Sequence, residues 1–329
     1  MKRLLFTACL LSSPAWALSL LVLASSAIAQ TYPSKPLRVI VPQPPGGGFD
    51  LVARTLSEPL AALLGQPVVV ENRPGGGTVI GTEAVARAEP DGYTILLGAS
   101  ANLAFTPGLY KNLPYNPKSD FVPLGLAAGF AYTLVARTDF AQNSLKEVVD
   151  YARQNPGKLT YASAGNGSGQ HICAALVWYL AGVNVTHVPY KGAQAAYQDL
   201  IPGRVDLFFD AASTARGQVE GGRLKPLAVS GPARLGFHPA TPTVRETGVL
   251  DFEMESWAGY FVRAATPPAA LARLQGEFAK VVANPEIAAS FEKRGARPMR
   301  MSAREAEPYV AGEIDKWTRL IREAGIVAE

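Results

Sequence analysis

Leu37-Arg38-Val39-Ile40-Val41, then Pro42-Gln43-Pro44-Pro45-Gly46-Gly47-Gly48-Phe49-Asp50, then an amphipathic stretch from Leu51, reads as a strand, a glycine-rich elbow and a helix. The pattern returns far along the chain. Leu159-Thr160-Tyr161-Ala162 leads into Ser163-Ala164-Gly165-Asn166-Gly167-Ser168-Gly169 and a helical stretch from Gln170. A helix start presents unpaired N–H groups and a partial positive charge, and glycine lets a ligand approach that backbone closely. Two such elbows facing each other would hold a small anion between them.

The chain begins Met1-Lys2-Arg3, continues through apolar residues, and reaches Ala27-Ile28-Ala29 before Gln30. A basic start, an apolar stretch and a small-residue site predict a signal peptide over 1–29. An uncleaved anchor is the rival, because Leu4–Ala29 is long for a signal; the small-residue ending favours cleavage. Too little apolar sequence precedes Cys9 for lipid attachment there. No later stretch approaches the roughly 20 apolar residues of a membrane span, so the mature protein is expected to be exported and soluble. Cys9 would leave with the signal, so Cys173 stands alone and no disulfide within the chain is expected. The formal charge of +4 falls by two with Lys2 and Arg3, and the remaining charges are interspersed. Neither a nucleic-acid patch nor a polybasic membrane segment stands out.

Short β-branched runs alternate with helical stretches. Strands are predicted at Leu37–Val41, Val68–Glu71, Thr94–Leu97, Tyr132–Ala136, Leu159–Ala162, Thr186–Val188, Asp206–Phe209, Pro226–Val229 and Gly259–Val262. Helices are predicted at Leu51–Leu64, Val79–Ala88, Leu145–Gln154, Gln170–Leu180, Ala193–Ile201, Pro268–Ala283 and Ala303–Ala324. The alternation predicts α/β layers with mostly parallel sheets, whose ligands sit beyond the carboxyl ends of the strands. Asn112–Val122 and Thr243–Trp257 read as irregular connections. They bracket a central block, so a second domain over 131–254 is expected, inserted into a first built from 30–130 and 255–329.

At these residues the chain resembles the Bug-type extracytoplasmic solute receptors, the binding proteins of tripartite tricarboxylate transporters. The resemblance spans nearly all of the mature sequence. It runs from Tyr32-Pro33 and Lys35-Pro36 through the first elbow to Glu71-Asn72-Arg73-Pro74-Gly75-Gly76-Gly77 and Pro90-Asp91-Gly92-Tyr93. It continues with Gly165-Asn166-Gly167-Ser168 and His171, then Val188-Pro189-Tyr190-Lys191-Gly192. Pro242-Thr243 with Glu246 and Gly248, Trp257, and Thr266-Pro267-Pro268 complete the ordered set. The resemblance implies a type II-like, two-lobed periplasmic binding protein fold, each lobe a mixed, mostly parallel sheet flanked by helices. A small carboxylate would lie in the cleft between lobes, held by loop backbone, hydroxyls and waters, and the closed receptor would be presented to a membrane permease. Phe49 and Ala175 depart from the family pattern: relatives often carry a small or hydroxylated residue at the first and Glu at the second. Phe49 would narrow the cleft or stack on an aromatic ligand.

Candidate ligand contacts follow. Gly47, Gly48 and Phe49 offer backbone donors, although glycine and proline are also the default residues of a plain tight turn. Ser163, Ser168 and Gly169 offer hydroxyls and amides; Ser168 can also cap the helix. His171, in the first helical turn, would stay neutral and donate from a ring nitrogen, or simply pack. Tyr190, Lys191 and Gly192 follow another strand, with Lys191 either pairing with the anion or solvated. Ser100 and Asn102 sit at a strand's carboxyl edge. Asp50 reads as a helix-start residue, Asp210 as structural, and Trp257 as a hinge crossing or a core residue.

Catalytic signatures fail. Ser168 has Asn166 and Gln170 where a nucleophile elbow needs glycines, and Ser100 has Gly98 but Asn102. Both glycine runs lack the sixth-position glycine of a dinucleotide fingerprint. His171, His187 and His238 are scattered, so neither metal nor cofactor is expected. The chain is expected to be a monomeric binding protein and not an enzyme. The alternatives are a sensor that signals through the same cleft and, remotely, a secreted ester hydrolase using Ser168 or Ser100 with His171.

Overall fold

A computed structural model describes residues 32–328. The signal-peptide segment and Cys9 lie outside the described residues. The elbow-bearing strands form where predicted. Strand β1 (Leu37–Val41) runs parallel to β2 (Val68–Asn72) on one side and to β3 (Thr94–Ala99) on the other. Helix α1 (Gly48–Leu64) covers this sheet with Val52, Ala53, Leu56, Leu60 and Leu64, a helical repeat of apolar positions, and stops at the left-handed Gly65. Helix α2 (Val79–Ala86) and the short α3 (Thr106–Leu109) follow.

The central element is β4 (Phe121–Arg137). Its first part, Phe121–Ala131, pairs antiparallel with β9 (Glu255–Arg263), and Gly125–Gly129 also pairs with β10 (Arg297–Ser302). From Tyr132 onward the partners change to β7 (Leu207–Ala211) and, from Thr133, β8 (Leu224–Val229). Beyond β7, β5 (Thr160–Ser163) and β6 (Thr186–Pro189) pair in parallel. The strand order is β2-β1-β3-β9-β4-β7-β5-β6. The fold is α/β as read, and the sheet is mixed: parallel pairs occupy its outer strands, and antiparallel pairing gathers on β4 and β9.

The remaining helices are α4 (Leu145–Gln154), α5 (Gly169–Leu180), α6 (Ala193–Leu200), α7 (Ala212–Glu220), α8 (Pro268–Ala283), α9 (Pro285–Lys293) and α10 (Ala303–Glu323). Ser144 caps α4 by accepting from the Glu147 amide, as its spacing predicts. Helices α3, α7 and α9 and strand β10 lie outside the predicted set. No strand is predicted over the first part of β4, where Pro123, Gly125 and Gly129 interrupt the run and two register shifts break its period. Trp257, fully buried on β9 opposite Gly129, is at once a core residue and part of the crossing between the two halves of the sheet.

Strands β4 and β9 approach so closely that a Cβ on Gly259 would lie 2.1 Å from the Gly125 carbonyl oxygen. Gly259→Ala is therefore expected to destabilise the protein by more than about 2 kcal/mol in urea denaturation, through forced separation of two packed strands; unchanged stability would show that the pair tolerates widening.

Candidate functional site

Both elbows open onto one cavity of about 430 Å³. On one side, β1 ends at Val41 and α1 begins at Gly48, with Gly47 as an N-cap that supplies no side-chain acceptor. The first amides of α1 therefore lack an intrahelical partner. Asp50 fixes this loop from behind, accepting from the Gly46 amide at 3.0 Å, Arg54 Nε at 3.0 Å and Asn72 Nδ2 at 2.9 Å. Burial pushes its carboxyl up, but these donors outweigh burial and hold it below the usual range. Asp50 thus stays ionised, buried and off the cavity lining, which agrees with its reading as a helix-start residue.

On the other side, β5 ends at Ser163 and α5 begins at Gly169. Ser168 caps this helix, its Oγ accepting the His171 amide at 3.2 Å, which leaves its hydroxyl proton free to donate. Gly169 is required by close approach: a Cβ there would fall 1.8 Å from Tyr132 Oη. A third helix start joins them. Helix α7 follows β7 directly, with Ala211, Ser213 and Thr214 on the cavity wall. The loop Pro74–Thr78 forms a further wall. Phe49 and Phe130 meet edge to face at 6.1 Å and give the cavity an apolar side. Among the described residues, none that lines this cavity is Asp, Glu, Lys, Arg or His.

Of the predicted contacts, Gly48, Phe49, Ser168 and Gly169 line the cavity, and Gly47 directly precedes it. Others lie behind the walls. Ser100 is fully buried, its Oγ accepting the Trp257 amide at 2.8 Å. Asn102 accepts the Ala99 amide and donates to Thr82, so Ala101 between them is the residue that reaches the cavity. These polar groups are spent on the buried backbone where β3 ends. Ser163 is fully buried and His171 nearly so, and both brace the second elbow. Tyr190 and Gly192 support the same elbow: the Gly192 amide donates to the Ala164 carbonyl and the Tyr190 amide to the Ser163 carbonyl, while Tyr190 Oη donates to Asp199 on α6. Lys191 is exposed and does not line the cavity. Ser168 Oγ pairs with the His171 main-chain amide, and the ring Nδ1 of His171 accepts the Gly167 amide at 3.1 Å.

Sequence reasoning missed several lining residues. Asn166 sat inside the quoted elbow, Gln170 directly after it, and Ser213 with Thr214 followed a predicted strand end, so the carboxyl-edge rule could have found them. Gln170 is held by Asp210, which also accepts from Tyr197. Burial is the main cause that lifts the Asp210 carboxyl to about 6. Phe130, Tyr132 and Ser256 had no local signal, because only the crossing of β4 and β9 brings them to the site.

Residues 52–326 match the family model described as tripartite tricarboxylate transporter family receptor. A solved structure of the periplasmic binding protein BugD is 35% identical, with a TM-score of 0.78 over 91% of this chain and 100% of that one. A protein from Rhodopseudomonas palustris, solved with adipate, is 30% identical with a TM-score of 0.80 over 90% of this chain and 99% of its own. MatC from the same organism, with bound malate, is 30% identical with a TM-score of 0.77 over 88% and 100%. With the family match running through nearly the whole described chain and the elbows opening on one cavity, this protein belongs to the Bug-type receptors of the tripartite tricarboxylate transporter family.

Proposed function

We propose that this protein is a periplasmic solute-binding protein that captures a small carboxylate and delivers it to a membrane permease of the tripartite tricarboxylate type, with no net chemistry. The guest would be an organic or aromatic acid, or an amino acid. The carrying observation is that helix starts from both halves of the sheet open on one cavity whose lining bears no ionised side chain. Such a cavity offers an anion only amides, hydroxyls and dipoles, and each hydrogen bond to a charged group contributes roughly 1.5–3 kcal/mol. The relatives solved with adipate and malate support a carboxylate guest.

The lobes we assign are 30–130 with 255–329, and 131–254. This division is supported by the exchange of pairing partners along β4 between Ala131 and Tyr132, and by the start of β9 at Glu255. A carboxylate would settle on one lobe's helix start, and closure about the crossing strands would bring up the donors of the other. The protein would act as a monomer without a cofactor. Donors that read only the carboxylate are generic, so selectivity falls to the wall around Phe49 and Phe130.

Isothermal titration calorimetry against adipate, malate and benzoate is expected to show binding by at least one; silence across aliphatic and aromatic acids alike would overturn the assignment. Gly48→Leu is expected to weaken every bound acid at least about tenfold, because its side chain stands where the carboxylate must approach the amides. Phe49→Ala is expected instead to reorder the acids by affinity. Equal losses across the panel for both variants would refute this division between generic and selective contacts.

A further inference from the structure

The second elbow is held from beneath by a stack of rings. His171 lies face to face on His187, with centroids 4.1 Å apart and planes 6° from parallel, and Tyr161 continues the stack under His187 at 4.8 Å. Each imidazole serves the loop. His171 Nδ1 accepts the Gly167 amide at 3.1 Å. His187 Nε2 is 2.7 Å from Ser163 Oγ, and that oxygen accepts the Gly165 amide at 3.2 Å. The Ser168 amide turns back to the Gly165 carbonyl. Three amides of the elbow are thereby withdrawn from any ligand and fixed in direction, and Ser168 Oγ takes the His171 amide, which leaves those of Gly169 and Gln170 as the helix-start donors.

We infer that His171 and His187 are positioning residues for the anion site: the neutral His171 ring accepts the Gly167 amide and His187 holds Ser163, whose Oγ accepts the Gly165 amide, and so the pair aims the remaining donors of the second elbow at the ligand. The inference rests on the carboxylate reading of the cavity. The arrangement is proton-sensitive by construction. A protonated Nδ1 carries its own hydrogen and cannot accept from Gly167. Two imidazolium rings at stacking distance repel each other. The titratable group facing His171 is His187 on β6, and Tyr161 on β5 stacks in turn on His187, its phenol kept neutral by burial. Burial, with His187 adding, holds the His171 ring down to about 4, and burial lowers His187 as well. The sign follows: the unfolded chain takes up a proton near pH 6.5 that the folded chain refuses, so stability present above pH 6.5 is lost as pH falls through about 4.

The test uses the full mature chain, with adipate and malate as probes. Without ligand, the Gly165 and Gly167 amide resonances are expected to shift together as the His171 ring titrates, and in His171→Phe to stay flat over the same range. His171→Phe, which keeps a ring to stack but no acceptor, is expected to lose about tenfold in affinity at neutral pH, the value of one hydrogen bond. His171→Asn, which restores an acceptor, should recover part of that loss and bind with a flatter pH profile than the parent chain between pH 6.5 and 4. Circular dichroism of each variant separates misfolding from mispositioning. Amide resonances indifferent to the His171 titration, or full affinity in His171→Phe, would overturn the proposal. Titrating amides in a chain that binds neither acid would instead remove the carboxylate assignment of the cavity, and the positioning role with it.

Discussion

The antiparallel crossing of β4 and β9 is the constraint on which the rest of this structure depends. Strand β4 gives its first part to one half of the sheet and its last residues to the other, and β9 enters beside it at Glu255. Side chains alternate across a strand. Phe130, Tyr132 and Ser256 accordingly face the cavity, while Ala131 and Glu255 face a separate groove on the opposite side. The site owes its floor to this alternation. The crossing itself is tight at Gly259, where backbone meets backbone.

Onto that floor the fold directs the starts of α1, α5 and α7. Each follows a strand whose carboxyl end points to the cavity, β1 from one half and β5 and β7, which run the opposite way, from the other, so the helix starts converge with no cationic side chain on the cavity wall among the described residues. A buried lysine or arginine would carry a desolvation penalty of its own when the cavity is empty of counter-charge. Amides held in a rigid loop avoid this, provided that something fixes their direction. Asp50 with Asn72 does so for the first elbow, and the imidazole stack with Ser163 does so for the second. The two devices differ in one respect. A carboxylate held below its usual range keeps its charge as the medium acidifies, whereas an imidazole acceptor is lost once it binds a proton.

Much of this was legible in the chain. The strands at Leu37–Val41 and Thr160–Ser163 and the helices after them follow from β-branched runs, glycine punctuation and helical periodicity. The weakness lay where polar residues stand at a strand's carboxyl end. Ser100, Asn102, Ser163 and His171 are of the right chemistry and in the right neighbourhood, yet each satisfies buried backbone or braces a loop. A buried amide without a partner costs about as much as a ligand hydrogen bond returns, so such residues are claimed by the fold first.

The sequence by itself determined the α/β alternation, the two glycine elbows and the helix starts behind them, because those features are written in contiguous residues and local backbone preference. Only the tertiary structure decided that Tyr132, Ser256, Thr214 and Gln170 share a wall with Gly48 and Ser168, and that His187 lies beneath His171. These neighbours depend on strand register and on a crossing between segments more than a hundred residues apart. Register is an outcome of packing the whole sheet, and no window of the sequence contains it.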